Sequence, residues 1–368
     1  MILLLHNRYR VRGGEERAVE DLAWLIPAEL GEDATVLERD SATTSSARAG
    51  IGLVGGGLSP DSVGEAVRRT GARVVHAHNV NPSFGWRSLA AARAAGARVV
   101  LHLHNYRLVC AVGTCFTRGE DCTRCHGRDT RPGVRLNCRG GSRAESAAYG
   151  AGLALWQDRL AEQVDAFVVP SAFALDRLRE LGAPLGDRAH VVGSVQRRLA
   201  TASAAARGTY ALAAGRLTEE KGFDDAIAAC VRAGLPLVVA GDGPRAGALR
   251  TLAAGGDVTF TGQVSRPRLD ELRRGAAVAI VPSRYEEILP LAALEAMAAG
   301  LPVVAARSGG LAELVPAEGL YPAGDVTALE DRLRALWADR AAGERALAVA
   351  ATRSAPAVVA SRLARIYG

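Results

Sequence analysis

Residues 276–305 limit what this chain can fold into more than any other stretch. Ala276–Val281 is an unbroken apolar run, the pattern of a strand buried on both faces. It stops at Pro282 and Ser283. Ala292–Ala299 is then a run of strong helix formers, ended by Gly300 and followed by Pro302. A second apolar run, Leu301–Ala305, begins at once. Strand, helix and strand in such quick succession argue for a parallel sheet with helices over its faces.

The alternation continues on both sides. In the second half, apolar runs fall at Tyr210–Ala214, Leu235–Ala240 and Val258–Thr261, separated by helical stretches at Asp224–Arg232, Arg245–Ala253 and Pro267–Arg274. Pro267 is tolerated because it falls in a first helical turn. In the first half the runs are Ile2–Leu5, Thr35–Leu37, Val74–His78, Val99–His104 and Ala166–Pro170, with long helical stretches at Glu15–Leu30 and Ser142–Gln163. A chain of 368 residues, 49% of them hydrophobic, can fill two such cores. The expectation is α/β: two doubly wound, Rossmann-like domains facing each other across a cleft. Residues 1–200 form the first and 201–356 the second, with Ala/Ser-rich Gln196–Gly208 as linker. Glycine-dense Gly50–Pro60 reads as a mobile loop.

No apolar run is long enough to span a bilayer. The opening Met-Ile-Leu-Leu-Leu-His is too short for a signal-peptide core and reads as a first strand, so a cytoplasmic protein is expected. The net charge is +6, and eight arginines against three acids between Arg107 and Arg143 give that segment +5. Two readings stay open for it: a solvated loop, or a patch for an anionic acceptor or the anionic inner face of a membrane. Nucleic acid fits poorly, because few aromatics are interleaved with the charges.

Chemistry gathers where runs meet helices. Glu287 and Glu295 flank one strand-to-helix junction, and two carboxylates there suit hydroxyls while backbone N–H groups suit phosphate. Arg216 and Lys221, in Ala214-Gly-Arg-Leu-Thr-Glu-Glu-Lys-Gly222, are placed to hold a diphosphate and the charge that grows on it as it leaves. Gly241 and Gly243 permit a tight backbone approach to a ligand, and Gly309 and Gly310 free N–H groups at a helix start. Gly13 and Gly14, in Val11-Arg-Gly-Gly-Glu-Glu16, do the same after the first strand. His102 and His104 alternate onto one face, with His104 nearer the strand's C-terminal edge, where α/β sites lie. His76 and His78 form a second such pair, and Asn79 and Asn81 are loop-shaping groups. Cys110, Cys122, Cys125 and Cys138, with Cys115 beside them, contain one Cys-x2-Cys knuckle. Structural zinc, reduced thiols and a disulfide are all compatible with it. Cys230 reads as core.

Glu287-x7-Glu295, followed by Ala-Met-Ala-Ala-Gly-Leu-Pro-Val-Val, resembles the paired-glutamate signature of the retaining glycosyltransferases of family 4, which have the GT-B fold. Gly215-Arg-Leu…Glu220-Lys-Gly222 resembles the phosphate site of the same family. The resemblance implies transfer of a sugar from a nucleotide-diphosphate sugar, with UDP as the default nucleotide because it is common in such enzymes. The acceptor would be a hydroxyl of a small molecule, a lipid-linked carrier or a saccharide. Arg216 and Lys221 would bind the diphosphate, Glu295 the ribose hydroxyls and Glu287 the donor sugar. His104 would stand near the transferred sugar and acceptor. Backbone at Gly241, Gly243 and Val264 would surround the base. Leu289, Leu291, Gly309 and Gly310 would border the sugar, and Gly13 and Gly14 would face the donor.

The resemblance also implies a final helix, 357–368, packed back on the first domain, no catalytic metal, and a cysteine-bearing insertion after Asn105-Tyr-Arg107. Two departures stand out. Ile288-Leu-Pro290 replaces the usual Gly-Phe-Gly, and Gly193-Ser-Val-Gln196 replaces a Pro-Asn turn. Two rival functions are kept: a non-catalytic nucleotide-binding regulator on the same fold, and a zinc-dependent nucleic-acid-binding protein built around Cys110–Arg143. The second leaves Glu287, Glu295, Arg216 and Lys221 unexplained.

Overall fold

The computed structural model describes residues 1–9, 13–139 and 142–368. Val11 and Arg12 of the glycine loop therefore lie outside the described residues. The chain divides into two compact units. One holds residues 1–117, 122–195 and 356–368, and the other holds residues 118–121 and 196–355.

The first unit is built on β1 (Ile2–Arg8), β2 (Ala34–Asp40), β3 (Val74–Ala77) and β4 (Arg98–His102). β5 (Phe116–Thr117) and β6 (Glu120–Asp121) pair in a separate ribbon. β7 (Ala166–Val169) and β8 (Ala189–Val191) complete the sheet, in the order β2-β1-β3-β4-β7-β8 with every pair parallel. Ile2, Leu3, Leu4 and Leu5 are all buried, as a strand covered on both faces requires. One face carries helices Gly14–Leu25 and Pro356–Tyr367. In the latter, Val359, Leu363 and Ile366 meet Ile2, Leu4, Val74 and Val100. Such spacing makes one helical stripe, and each fully buried aliphatic side chain contributes about 1.5–3 kcal/mol. Arg73 and Arg98 then take up the carbonyls that the end of this helix leaves open: Arg73 Nη1 donates to Tyr367 O at 3.0 Å and Arg98 Nε to Ile366 O at 2.8 Å.

One expectation is corrected. Most of Gly50–Pro60 is not a loop, because Ser46–Gly55 is a helix whose N-cap Ser45 Oγ accepts from Arg48 N at 3.3 Å. Its Gly52 is there for close packing, since a Cβ would lie 2.5 Å from the Pro82 carbonyl oxygen.

The second unit repeats the plan. β9 (Tyr210–Ala214), β10 (Leu237–Ala240), β11 (Val258–Gly262), β12 (Ala276–Val281), β13 (Val303–Ala306) and β14 (Leu320–Tyr321) run in the order β11-β10-β9-β12-β13-β14, all parallel. Phe223, Ile227 and Leu333 pack one face, and Leu294, Met297 and Leu314 the other. Cys230 is fully buried among the first group. The strand order reverses beside β1 and β3 in one sheet and beside β9 and β12 in the other. Ligands of open α/β sheets bind off the strand C-termini at such switch points. Among the described residues, no helix is long and apolar enough to cross a membrane.

Candidate functional site

In the second unit, the loops after β9 and β12 bring Lys221 and Glu287 together. Lys221 Nζ donates to Glu287 Oε1 at 2.8 Å and to the Tyr285 hydroxyl at 3.3 Å, and Ser283 Oγ also bonds Glu287 Oε1. Glu287 is 7% exposed and Lys221 20%. Such an ion pair persists only because each charge is matched. Burial pulls the ammonium toward neutrality, but Glu287 and Tyr285 overcome this and hold it above the usual lysine range. Burial and Glu287 together push the Tyr285 phenol up to about 12.

Arg284 fastens the two loops together. Its Nε donates to Asp225 Oδ2 at 3.0 Å, its Nη2 reaches Asp224 Oδ2 at 2.9 Å, and its backbone N–H donates to Glu220 O at 2.9 Å. Gly222, at φ +64°, lets the chains cross, since a Cβ there would sit 2.1 Å from the Pro282 carbonyl oxygen. Arg216 is exposed, and among the described residues its guanidinium forms no ion pair.

The next turns are laced by backbone. A Cβ at Gly241 would lie 1.8 Å from Gly215 O, and one at Gly243 would lie 2.5 Å from Leu217 O. Leu217 N–H donates to Asp242 O at 2.9 Å and Gly241 N–H to Gly262 O at 2.9 Å. Val264 is half-buried in the turn that follows β11. Glu295 lies within helix Leu291–Ala298, buried, and is paired with the equally buried Arg273. Leu291 opens that helix, and Leu289 is half-buried just before it.

Gly309 and Gly310 differ from expectation. Gly310 N–H is not open to a ligand but donates to Glu287 O at 2.7 Å, and a Cβ at Gly309 would lie 2.7 Å from Glu287 N. These glycines make room for the loop that carries Glu287.

In the first unit, Gly13 caps helix Gly14–Leu25, and its N–H donates to Glu16 Oε2 at 2.7 Å. That amide too is consumed within the fold. Glu16 Oε1 accepts from Tyr9 N at 3.0 Å and lies 3.6 Å from His6 Nε2. Burial opposes the Glu16 charge, but His6 and the two amides prevail and hold its carboxyl at about 2. His104 packs on His102 with ring centroids 4.0 Å apart, and its Nε2 lies 2.8 Å from His78 Nδ1. Burial, reinforced by His76, lowers His104 to about 3. His78, His102, His104, Asn105, Arg107, Trp86 and Trp156 line a cavity. Asn79 Nδ2 donates to Asn7 O at 2.8 Å, and its Oδ1 accepts from Asn81 N at 3.3 Å, so this pair shapes the loop beside β1.

Cys110, Cys115, Cys122, Cys125 and Cys138 line a second, smaller cavity, and all are free thiols. Gly133 permits close packing beside it, since a Cβ there would lie 2.6 Å from Ala111 Cβ. Within the arginine-rich segment, Arg128, Arg131 and Arg139 are ion-paired to Asp158, Asp129 and Glu145, so less charge faces outward than the sequence count implies.

Sequence reasoning missed Ser283, Arg284, Asp225 and Arg273. Arg284 lies inside the segment singled out for Glu287, but its partners stand on another helix and leave no local signal. Arg273 falls in a polar helical stretch that gives no hint of an inward-facing residue.

A family model described as a glycosyl transferase 4-like domain matches residues 27–194, and one described as glycosyl transferases group 1 matches residues 208–339. The chain is 41% identical over 106 residues to the sulfoquinovosyl transferase SQD2 of Arabidopsis thaliana, covering 27% of this chain and 21% of that one. It is 41% identical over 110 residues to a GDP-mannose-dependent alpha-(1-6)-phosphatidylinositol dimannoside mannosyltransferase of Mycobacterium tuberculosis, covering 28% and 29%. The matches thus span less than a third of these curated relatives. Among solved structures, sucrose-phosphate synthase from Thermosynechococcus elongatus superposes with a TM-score of 0.71 at 17% identity, over 100% of this chain and 98% of that one. Anabaena HepE in complex with UDP gives 0.64 at 15%, over 99% and 98%. At such identities the likeness is one of fold.

Proposed function

The chain belongs to the family 4 glycosyltransferases of GT-B fold, and on that premise we propose that it moves a sugar from a nucleotide-diphosphate sugar to an acceptor hydroxyl with retention of configuration. The observation that carries this reading is the largely buried Lys221–Glu287 pair at the switch point, with Arg216, which forms no ion pair among the described residues, on the same loop as Lys221. Arg216 and Lys221 stabilise the diphosphate as it departs. A preorganised cation of this kind is worth about 10²–10³ in rate. Glu287 accepts hydroxyls of the donor sugar, and Glu295, held by Arg273, accepts those of the ribose. Gly241, Gly243 and Val264 border the base, and Leu289, Leu291, Gly309 and Gly310 shape the sugar's surroundings. His104, with the Gly13–Gly14 turn, orients acceptor and sugar. No side chain serves as nucleophile, and the acceptor attacks on the face the diphosphate leaves. UDP is the first nucleotide to test, supported by its presence in the HepE complex. Cys110, Cys122, Cys125 and Cys138 share a cavity as free thiols, but among the described residues they do not converge closely enough to share an ion, so reduced thiols are favoured there over a structural zinc.

Thermal stability is measured with UDP, GDP, ADP and dTDP, each with and without EDTA. A shift with one nucleotide fixes the donor class, because a ligand of the native state must stabilise it. Transfer or donor hydrolysis is then compared for the wild type, Glu287→Ala and Arg216→Ala. Nucleotide binding without turnover would favour the regulator on the same fold. Unchanged turnover in both variants would refute the site.

A further inference from the structure

We propose that the first unit holds a transition-metal ion, zinc before others, on His76, His78 and His102. This site is independent of the donor site above. His76 and His78 lie two apart at the end of β3, and His102 closes neighbouring β4. Their ring centroids are 4.7 Å (76–78), 5.4 Å (76–102) and 5.4 Å (78–102) apart. One ring nitrogen from each lies within 4.8 Å of the other two. Among the described residues, this is the group of His, Cys, Asp or Glu that comes together closely enough to share an ion. The five thiols line one cavity without converging in this way.

The hydrogen bonding points the same way. The three rings are 0%, 3% and 5% exposed. His76 Nδ1 lies 2.7 Å from the Tyr367 hydroxyl and His78 Nδ1 2.8 Å from His104 Nε2. Among the described residues, Nε2 of each of these two rings is buried with no hydrogen-bond partner, and in His102 both nitrogens are. An orphaned buried polar atom costs about 1–3 kcal/mol, so four of them in one place need an explanation. His76 and His78 have the arrangement of a metal-bound imidazole, with the outer nitrogen anchored by a hydrogen bond and the inner one left for the ion, while His102 lacks such an anchor. Neutral imidazole is the form that binds metal. An all-imidazole donor set suits zinc, copper or nickel rather than magnesium or calcium, which take oxygen.

Three protein ligands leave a fourth position open. His78 and His102 line the cavity described above, which is open to solvent on one side and gives an ion a way in. With His78 Nε2 on the metal, its Nδ1–H donates to His104 Nε2. His104 must then carry its own proton on Nδ1. The ion would therefore set the tautomer of the histidine that faces the cavity.

The test uses the full chain carrying Cys122→Ser and Cys125→Ser, which removes the thiol knuckle. The protein is stripped with chelator, titrated with Zn(II) and, separately, with Co(II), and its zinc shell is read by X-ray absorption. One equivalent of metal in an imidazole-nitrogen shell is expected. His102→Ala should abolish binding with the far-UV spectrum unchanged, and Tyr367→Phe should weaken it about tenfold as an outer anchor is lost. If His102→Ala does not fold, the absorption shell and Tyr367→Phe decide. No tight equivalent, a sulfur or water-only shell, or full binding by folded His102→Ala would overturn the proposal.

Discussion

Glu287→Gln should destabilise the second unit out of proportion to the change in shape. The amide still accepts from Ser283, so packing is nearly kept. What is lost is the carboxylate that neutralises Lys221, whose ammonium bonds Glu287 at 2.8 Å while only 20% exposed. A charge-assisted hydrogen bond is worth about 1.5–3 kcal/mol, and breaking a buried pair costs about 3–5 kcal/mol. The partial exposure of Lys221 puts the expected loss near the low end, about 3 kcal/mol. For a unit of this size each kcal/mol moves the midpoint by about 2–4 °C, so the transition should fall by about 6–12 °C. Lys221→Met should cost a similar amount, because it strands Glu287, which is 7% exposed. The double variant removes both charges and should recover at least about 2 kcal/mol relative to the sum of the singles. Urea and thermal denaturation of the four proteins measure this cycle. Additivity within about 0.5 kcal/mol would show that the two groups do not meet in solution, and the argument from their pairing would fail.

Arg216→Ala should lower kcat about 10²–10³-fold with the midpoint unchanged, since this side chain is exposed and forms no ion pair among the described residues; steady-state kinetics and calorimetry read the two effects. Gly222→Ala should destabilise by about 3 kcal/mol, because φ is +64° and the new Cβ would meet Pro282 O at 2.1 Å; a midpoint within 1 °C or so of wild type would show that the loop yields cheaply. Glu16 is held at about 2 when folded, below its ordinary 4.5, so it binds a proton more readily unfolded. Its contribution is full above about 4.5 and is lost as the pH falls toward 2. Urea midpoints for wild type and Glu16→Gln should therefore differ at pH 6 and converge by about pH 2.

How much of this was legible depends on range. Ala276–Val281 and Tyr210–Ala214 are strands over the very residues the apolar runs mark, because a strand buried on both faces cannot hide its composition. Leu320–Tyr321, an edge strand of two residues, leaves too short a pattern to see. Gly50–Pro60 reads as a loop because glycine suggests freedom, whereas helix Ser46–Gly55 runs into it and Gly52 marks the approach of Pro82. In the site, Lys221 and Glu287 were both marked by their motifs, but their contact was not, nor was the Arg284 clasp onto Asp224 and Asp225. Those contacts join residues about sixty positions apart, and no local period records them. The same holds for the histidines: alternation puts each pair on one face, but only the register of β3 against β4 stacks one pair on the other.

Helix Pro356–Tyr367 belongs to the first unit, yet a ribosome reaches it only after residues 196–355 are made. Until then the nascent sheet has no cover for the apolar surface that Val359, Leu363 and Ile366 will close. His76 lacks Tyr367 for the same interval. The second unit is contiguous apart from residues 118–121, all made earlier, and can complete its core while the first waits. The unit whose synthesis begins first is thus also the unit whose synthesis ends last. A slowed or stalled chain would expose the sheet around β1, β3 and β4 to aggregation or to chaperones.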